Sequence, residues 1–179
     1  MSQRLFSAIG LPDSACEPLM ALQSGLPGAS WRPRENLHLT LRFFGDVDER
    51  KAEDLEFELA KITAPAFELT LQGAGWFGRL EPHALWIGTE PNAALLALQA
   101  QCERAARRAG LAPETRNFVP HVTLAYLRKT PVEALARFTQ ALGTFRCEPV
   151  TISYFSLYAS WLTRGEANIY EPVARYPLG

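Results

Sequence analysis

The sequence is poor in several things, and each shortage excludes something. Among its 179 residues only Cys16, Cys102 and Cys147 are cysteines, odd in number and widely spaced. That rules out a disulfide framework or a zinc ribbon and points to reduced, buried thiols in a cytoplasmic protein. No apolar run approaches the roughly 18 residues that a membrane span needs. No long apolar segment follows Met1-Ser2-Gln3-Arg4-Leu5-Phe6 before Pro12 and Asp13, so no signal peptide is expected. A large excess of one charge is missing too. A net charge of −1 excludes a bulk polyanion binder, because non-specific nucleic-acid affinity needs many cationic contacts. Lysine is scarce, and 15 of the 18 basic residues are arginine. Arginine suits bidentate phosphate recognition, although a compositional bias gives the same count, so any nucleic-acid contact must be local. Histidine is limited to His38, His83 and His121.

What is present is an ordinary globular balance, 47% hydrophobic and 21% charged, which argues against disorder. The length fits one domain over residues 1–179 with a proper core. Residues 4–9 read as a strand. Ser14 and Glu17 have capping-box spacing and open a helix that Gly25 can end. Residues 37–44 read as a strand, and Asp48 opens a helix with Ala52, Leu55, Leu59 and Ile62 along one face. Strands over 67–71 and 84–89 enclose a loop with Gly73, Gly75, Gly78 and Pro82. A helix from about Asn92 to Ala109 follows, closed by Gly110. A strand covers 119–127. Thr130-Pro131-Val132-Glu133 opens a helix carrying Leu135, Phe138 and Leu142, and strands follow at about 148–160 and 167–173.

Helix, strand, helix, strand, strand thus occurs twice with no linker between the copies. The expectation is a duplicated α+β fold: two antiparallel-sheet lobes with outer helices, intertwined around a central cleft. The repeat halves are about 1–90 and 91–179, related by an internal pseudo-twofold.

Equivalent strands of the halves carry one pattern, Leu37-His38-Leu39-Thr40-Leu41 and Pro120-His121-Val122-Thr123-Leu124. Strand side chains alternate, so His38 and Thr40 share one face while Leu37, Leu39 and Leu41 face a core. His121 and Thr123 do the same against Val122 and Leu124. Two imidazoles facing each other across a groove can act on one phosphorus, one as base and one as acid, since histidine serves either role near neutral pH. Threonine hydroxyls donate to phosphate oxygens without adding a competing base. One HxT tripeptide means little. Two copies at equivalent repeat positions, using two of only three histidines, mean a good deal. His83, in Glu81-Pro82-His83, has no such partner and reads as a surface or loop histidine. A zinc site needs three or four ligands at close spacing, and the sequence offers no such set.

With these motifs the chain resembles the 2H phosphoesterases, and within them the RNA 2′,3′-cyclic phosphodiesterases, also called 2′-5′ RNA ligases. The likeness runs over nearly the whole chain: Arg4-Leu5-Phe6, Asn36 to Gly45, Ala84 to Gly88, Phe118 to Ala125, and Leu157 to Ser160 with Tyr170 and Pro177-Leu178. It implies hydrolysis of a 2′,3′-cyclic phosphate to a 2′-phosphomonoester, with no metal and no cofactor. His38 is then the proton donor to the leaving 3′-oxygen and His121 the proton acceptor from water, while Thr40 and Thr123 bind the phosphate. Some members also join RNA ends through a 2′-5′ linkage. Many members place an arginine directly after the second motif, where this chain has Tyr126. Arg128, two residues further on, or Arg42, in phase with His38 and Thr40 on a regular strand, is the candidate replacement. Phe43 and Tyr126 are candidates to stack on a base, with core packing as the alternative. The expected partners are RNA ends or nucleotides bearing a 2′,3′-cyclic phosphate, with no membrane and a monomeric state. The competing readings are a non-catalytic RNA-end binder and a 2H enzyme acting on another nucleotide phosphodiester.

Overall fold

The computed structural model describes residues 1–165 and 167–179. The strands are β1 (Ser2–Gly10), β2 (Ala29–Trp31), β3 (His38–Asp48), β4 (Phe67–Leu69), β5 (Leu71–Phe77), β6 (Ala84–Thr89), β7 (Val122–Leu127), β8 (Val150–Ile152), β9 (Tyr154–Trp161) and β10 (Ile169–Pro177). The helices are α1 (Asp13–Met20), α2 (Glu49–Ala60), α3 (Ala93–Arg108) and α4 (Val132–Ala141). All strand pairs are antiparallel, and the fold is α+β as expected.

The strand order is β10-β9-β1-β3-β7-β6-β5, with β2 also on β7 and a separate β4-β8 pair. The lobes are therefore not two separate sheets. They join into one sheet at a single residue pair, Leu39 opposite Val122, which are the middle residues of the two HxT motifs. The centre of the small sheet pairs Glu68 with Thr151. Both junctions join elements at matching places in the order, the pattern that an internal twofold gives. The lobe around β3 takes β9 and β10 from late in the chain, and the lobe around β7 takes β2, β5 and β6 from early in it. No contiguous half makes a lobe.

Two helix starts follow the sequence. Asp48 accepts from the Lys51 N–H at 2.9 Å, and Asn92 accepts from Leu95 at 3.0 Å. Two do not. Neither α1 nor α4 has a side-chain cap: α1 starts at Asp13 after Pro12 and ends at Met20, well before Gly25. The Thr130 hydroxyl instead donates to the Pro27 carbonyl at 2.8 Å, tying two distant loops together, a tertiary bond that outcompetes the local cap. β2 is an addition to the expected strands, and β5 replaces the expected glycine loop. Gly75 is required there by packing, since a Cβ would come within 2.5 Å of the Trp86 ring.

One irregularity governs the cleft. In β3, Ser7 pairs with Arg42 and Ala8 with Thr40, so Leu41 is an extra residue. In β7, Leu85 pairs with Ala125 and Trp86 with Thr123, so Leu124 is extra. Both bulges fall at the same distance from the motif histidine. A bulge shifts the alternation by one residue. Leu41 and Arg42 are both buried, as are Leu124 and Ala125. Phe43 and Tyr126, five residues after His38 and His121, are thereby turned onto the histidine face instead of the core face.

The bulge also corrects the expectation for Arg42. The strand is not regular, and Arg42 is buried and turned to the α3 side: it is absent from the cavity that holds both histidines and lines only the neighbouring one. Its Nη2 donates to the Ala112 carbonyl at 2.7 Å, and the guanidinium also bonds Glu103 and the Phe43 carbonyl. Glu103 would keep Arg107 and the Glu114 N–H, but the Ala112 and Phe43 carbonyls would lose their donor, so Arg42→Met should cost roughly 1–3 kcal/mol of stability. The folded fraction should keep turnover close to wild type. Denaturant melts beside rate assays check this; unchanged stability with a large rate loss would put the guanidinium back in the cleft.

Candidate active site

The same local device orients both motif histidines. The His38 Nδ1–H donates to the Asn36 carbonyl at 2.7 Å, and the His121 Nδ1–H donates to the Val119 carbonyl at 2.6 Å, each two residues back. This fixes the tautomer and leaves Nε2 as the working nitrogen. His38 Nε2 lies 2.9 Å from Thr40 Oγ1, whose hydroxyl donates to it while the ring is neutral. Asn36 is buried, and its Nδ2 donates to the Asn168 carbonyl at 2.8 Å, so the orientation of His38 is tied to the chain entering β10. Each imidazole is walled by two aromatics. Phe6 and Tyr170 stand 5.0 and 5.1 Å from His38, and Phe77 and Trp86 stand 4.8 and 6.1 Å from His121.

Burial behind these rings pushes the His38 pKa down to about 4; the Asn36 carbonyl opposes the shift and repulsion from His121 adds to it. Burial also lowers His121, opposed by the Val119 carbonyl. Both therefore sit below the ordinary histidine value of about 6.5. If one must be neutral and the other protonated, kcat/KM, which reports the free protein, should peak below pH about 6.5. It falls at lower pH as the base takes a proton and at higher pH as the acid loses one. An anionic substrate beside the rings favours their charged forms, so the kcat optimum should lie at higher pH. A kcat/KM plateau persisting well into alkaline pH would contradict this.

One cleft, about 290 Å³, is lined by His38, Thr40, His121 and Thr123 together with Phe43 and Tyr126. A second of about 410 Å³ adjoins it through Thr40, Phe43 and His121. The four motif residues thus share one cavity, with both bulge-turned aromatics at its wall. Arg128 is not beside them: it is exposed, past the end of β7, with its N–H bonded to the Gly28 carbonyl at 3.0 Å. His83 is exposed in the β5–β6 turn at the rim of the second cleft. Sequence reasoning missed Arg4 and Arg32, which line the first cleft. The Arg4 guanidinium lies 5.0 Å from the Phe43 ring centre and that of Arg32 lies 4.5 Å from the centre of Tyr126. Their signal was the strand pairing that sets β1 beside β3 and β2 beside β7.

Comparison with known proteins places this geometry in a family. The profile of the 2′-5′ RNA ligase superfamily matches residues 11–159. The chain is 34% identical over 180 residues to the RNA 2′,3′-cyclic phosphodiesterase of Escherichia coli, covering 98% of this chain and 97% of that protein. It is 35% identical over 133 residues to the protein of the same name from Aeropyrum pernix, 73% and 76% of the two chains. The crystal structure of E. coli LigT complexed with 3′-AMP matches with a TM-score of 0.80 at 31% identity, over 99% of each chain. A match of this length, on a sheet that sets the two HxT motifs against each other, means that the chain belongs to the 2′-5′ RNA ligase superfamily.

Proposed function

We propose that this protein hydrolyses RNA or nucleotide 2′,3′-cyclic phosphates to 2′-phosphomonoesters, with its two motif histidines as acid and base. The observation that carries the reading is the pairing of Leu39 with Val122, which brings both His/Thr sets to one cavity. In the proposed step His121 Nε2 takes a proton from water, and the water oxygen attacks phosphorus. The bond from phosphorus to the 3′-oxygen breaks, and His38 Nε2 gives its proton to that oxygen. Thr40 and Thr123 donate to the non-bridging oxygens as charge builds on them. The directions follow the family expectation. In support of the base role, His121 Nε2 has no hydrogen-bond partner among the described residues. A 5′-hydroxyl in place of the water would run the same chemistry as 2′-5′ ligation.

The named relatives and the 3′-AMP bound by LigT support a nucleotide in this cleft. Residues 1–179 are read as one domain of two interleaved halves. It is read as a monomer that acts in the cytoplasm, where three unpaired buried cysteines are at home. Among the described residues no helix is long and apolar enough to cross a membrane. The reading is tested with a 2′,3′-cyclic nucleotide after exhaustive chelation. Turnover unchanged by EDTA is expected, because the step is built from side chains alone. Loss in EDTA, restored by a divalent ion, would overturn the metal-free mechanism.

A further inference from the structure

Both cleft histidines have depressed pKa values, so an entering phosphate anion meets little charge from them. The cations lining that cleft are Arg4 and Arg32, and no acidic side chain lines it among the described residues. Arg4 lies 3.9 Å from Asp46, which draws on its charge. Arg32 has no acidic partner among the described residues. Its backbone is pinned on both sides: its N–H donates to the Leu124 carbonyl at 2.8 Å, and its carbonyl accepts from Gln23 Nε2 at 2.8 Å. The Ser30 hydroxyl accepts from its Nη2 at 3.0 Å. The rest of the guanidinium lies over Tyr126, which the β7 bulge has turned to the histidine face.

We propose that Arg32, laid on the Tyr126 ring, is the phosphate-gripping cation of this cleft. The proposal rests on the phosphodiesterase reading and deepens it by assigning the charge that reading needs. An aromatic face holds a guanidinium plane by cation–π attraction while leaving its N–H edge free. That edge makes charge-assisted, paired hydrogen bonds to phosphate oxygens. The device needs both parts: the bulge that presents the ring, and the short strand β2, which pairs Ser30 with Tyr126 and so delivers Arg32 two residues later.

The test uses inorganic phosphate as probe, followed through the histidine ring signals by NMR, with turnover of adenosine 2′,3′-cyclic phosphate measured beside it. R32M, which keeps the stem and removes the charge, should bind phosphate at least about tenfold more weakly. It should lose on the order of 10²-fold in kcat/KM. Y126L keeps the cation and loses its support, so its phosphate affinity should fall by less. The double variant should be no worse than R32M, because ring and cation act as one unit. Phosphate affinity in R32M within about twofold of wild type overturns the proposal. Should R32M not fold, Y126L decides, at a half-exposed ring: weakened phosphate binding supports the proposal and unchanged binding overturns it. If wild type binds phosphate through Arg32 but turns over no cyclic phosphate, the function reading fails and the site assignment stands.

Discussion

His38→Ala and His121→Ala are each expected to stay folded and to lose on the order of 10²–10⁴-fold in turnover, the usual scale for a positioned acid or base. Folding should survive because both rings line a cleft, while the residues between and beside them, Leu37, Leu39, Val122 and Leu124, carry the core. The double variant should be only slightly worse than either single one, because the two groups act as a unit. A substrate analogue with a far better leaving group at the 3′ position separates the roles. It no longer needs an acid, so His38→Ala should recover much of its rate and His121→Ala should not. Recovery in His121→Ala instead would reverse the assignment. Recovery in neither would mean that His38 mainly holds the phosphate.

Thr40→Ala and Thr123→Ala should each cost roughly 10²–10³-fold in rate, the effect of removing one transition-state hydrogen-bond donor. The two are not equivalent in kind. Thr40 also touches His38 Nε2, so its loss should move the pH profile as well as the rate. Thr123 makes no such bond among the described residues, so its variant should keep the wild-type profile. Serine at either position restores the hydroxyl and should restore much of the rate. Wild-type rates in both alanine variants would make the hydroxyls structural.

The cleft's centre was legible because strand alternation has a period of two, and the spacing from histidine to threonine matches it. The core faces of β3 and β7 were legible for the same reason. What lies further along each strand was not. A single extra residue, Leu41 or Leu124, reverses the phase, so Arg42 went to Glu103 and Phe43 and Tyr126 came to the cleft. A trace of this is present in the sequence: Leu41-Arg42-Phe43-Phe44 fails to alternate. Arg32 was hidden for another reason. Nothing near Trp31-Arg32-Pro33 marks a site, and it reaches the second motif only because the three-residue strand β2 pairs with β7 far along the chain. The helix starts divide in the same way. Asp48 and Asn92 cap locally, whereas Thr130 is claimed by a contact to Pro27 that no local pattern records.

The central claim, two histidines opening a cyclic phosphate on its 3′ side, is tested most directly on an RNA ending in a 2′,3′-cyclic phosphate. The RNA is incubated with the protein in EDTA, and the position of the product phosphate is assigned by phosphorus NMR. The expected result is conversion to the 2′-phosphomonoester with a free 3′-hydroxyl, slowed in the double histidine variant by at least as much as in either single one. A 3′-phosphomonoester, or a substrate left intact by folded wild-type protein, would contradict it.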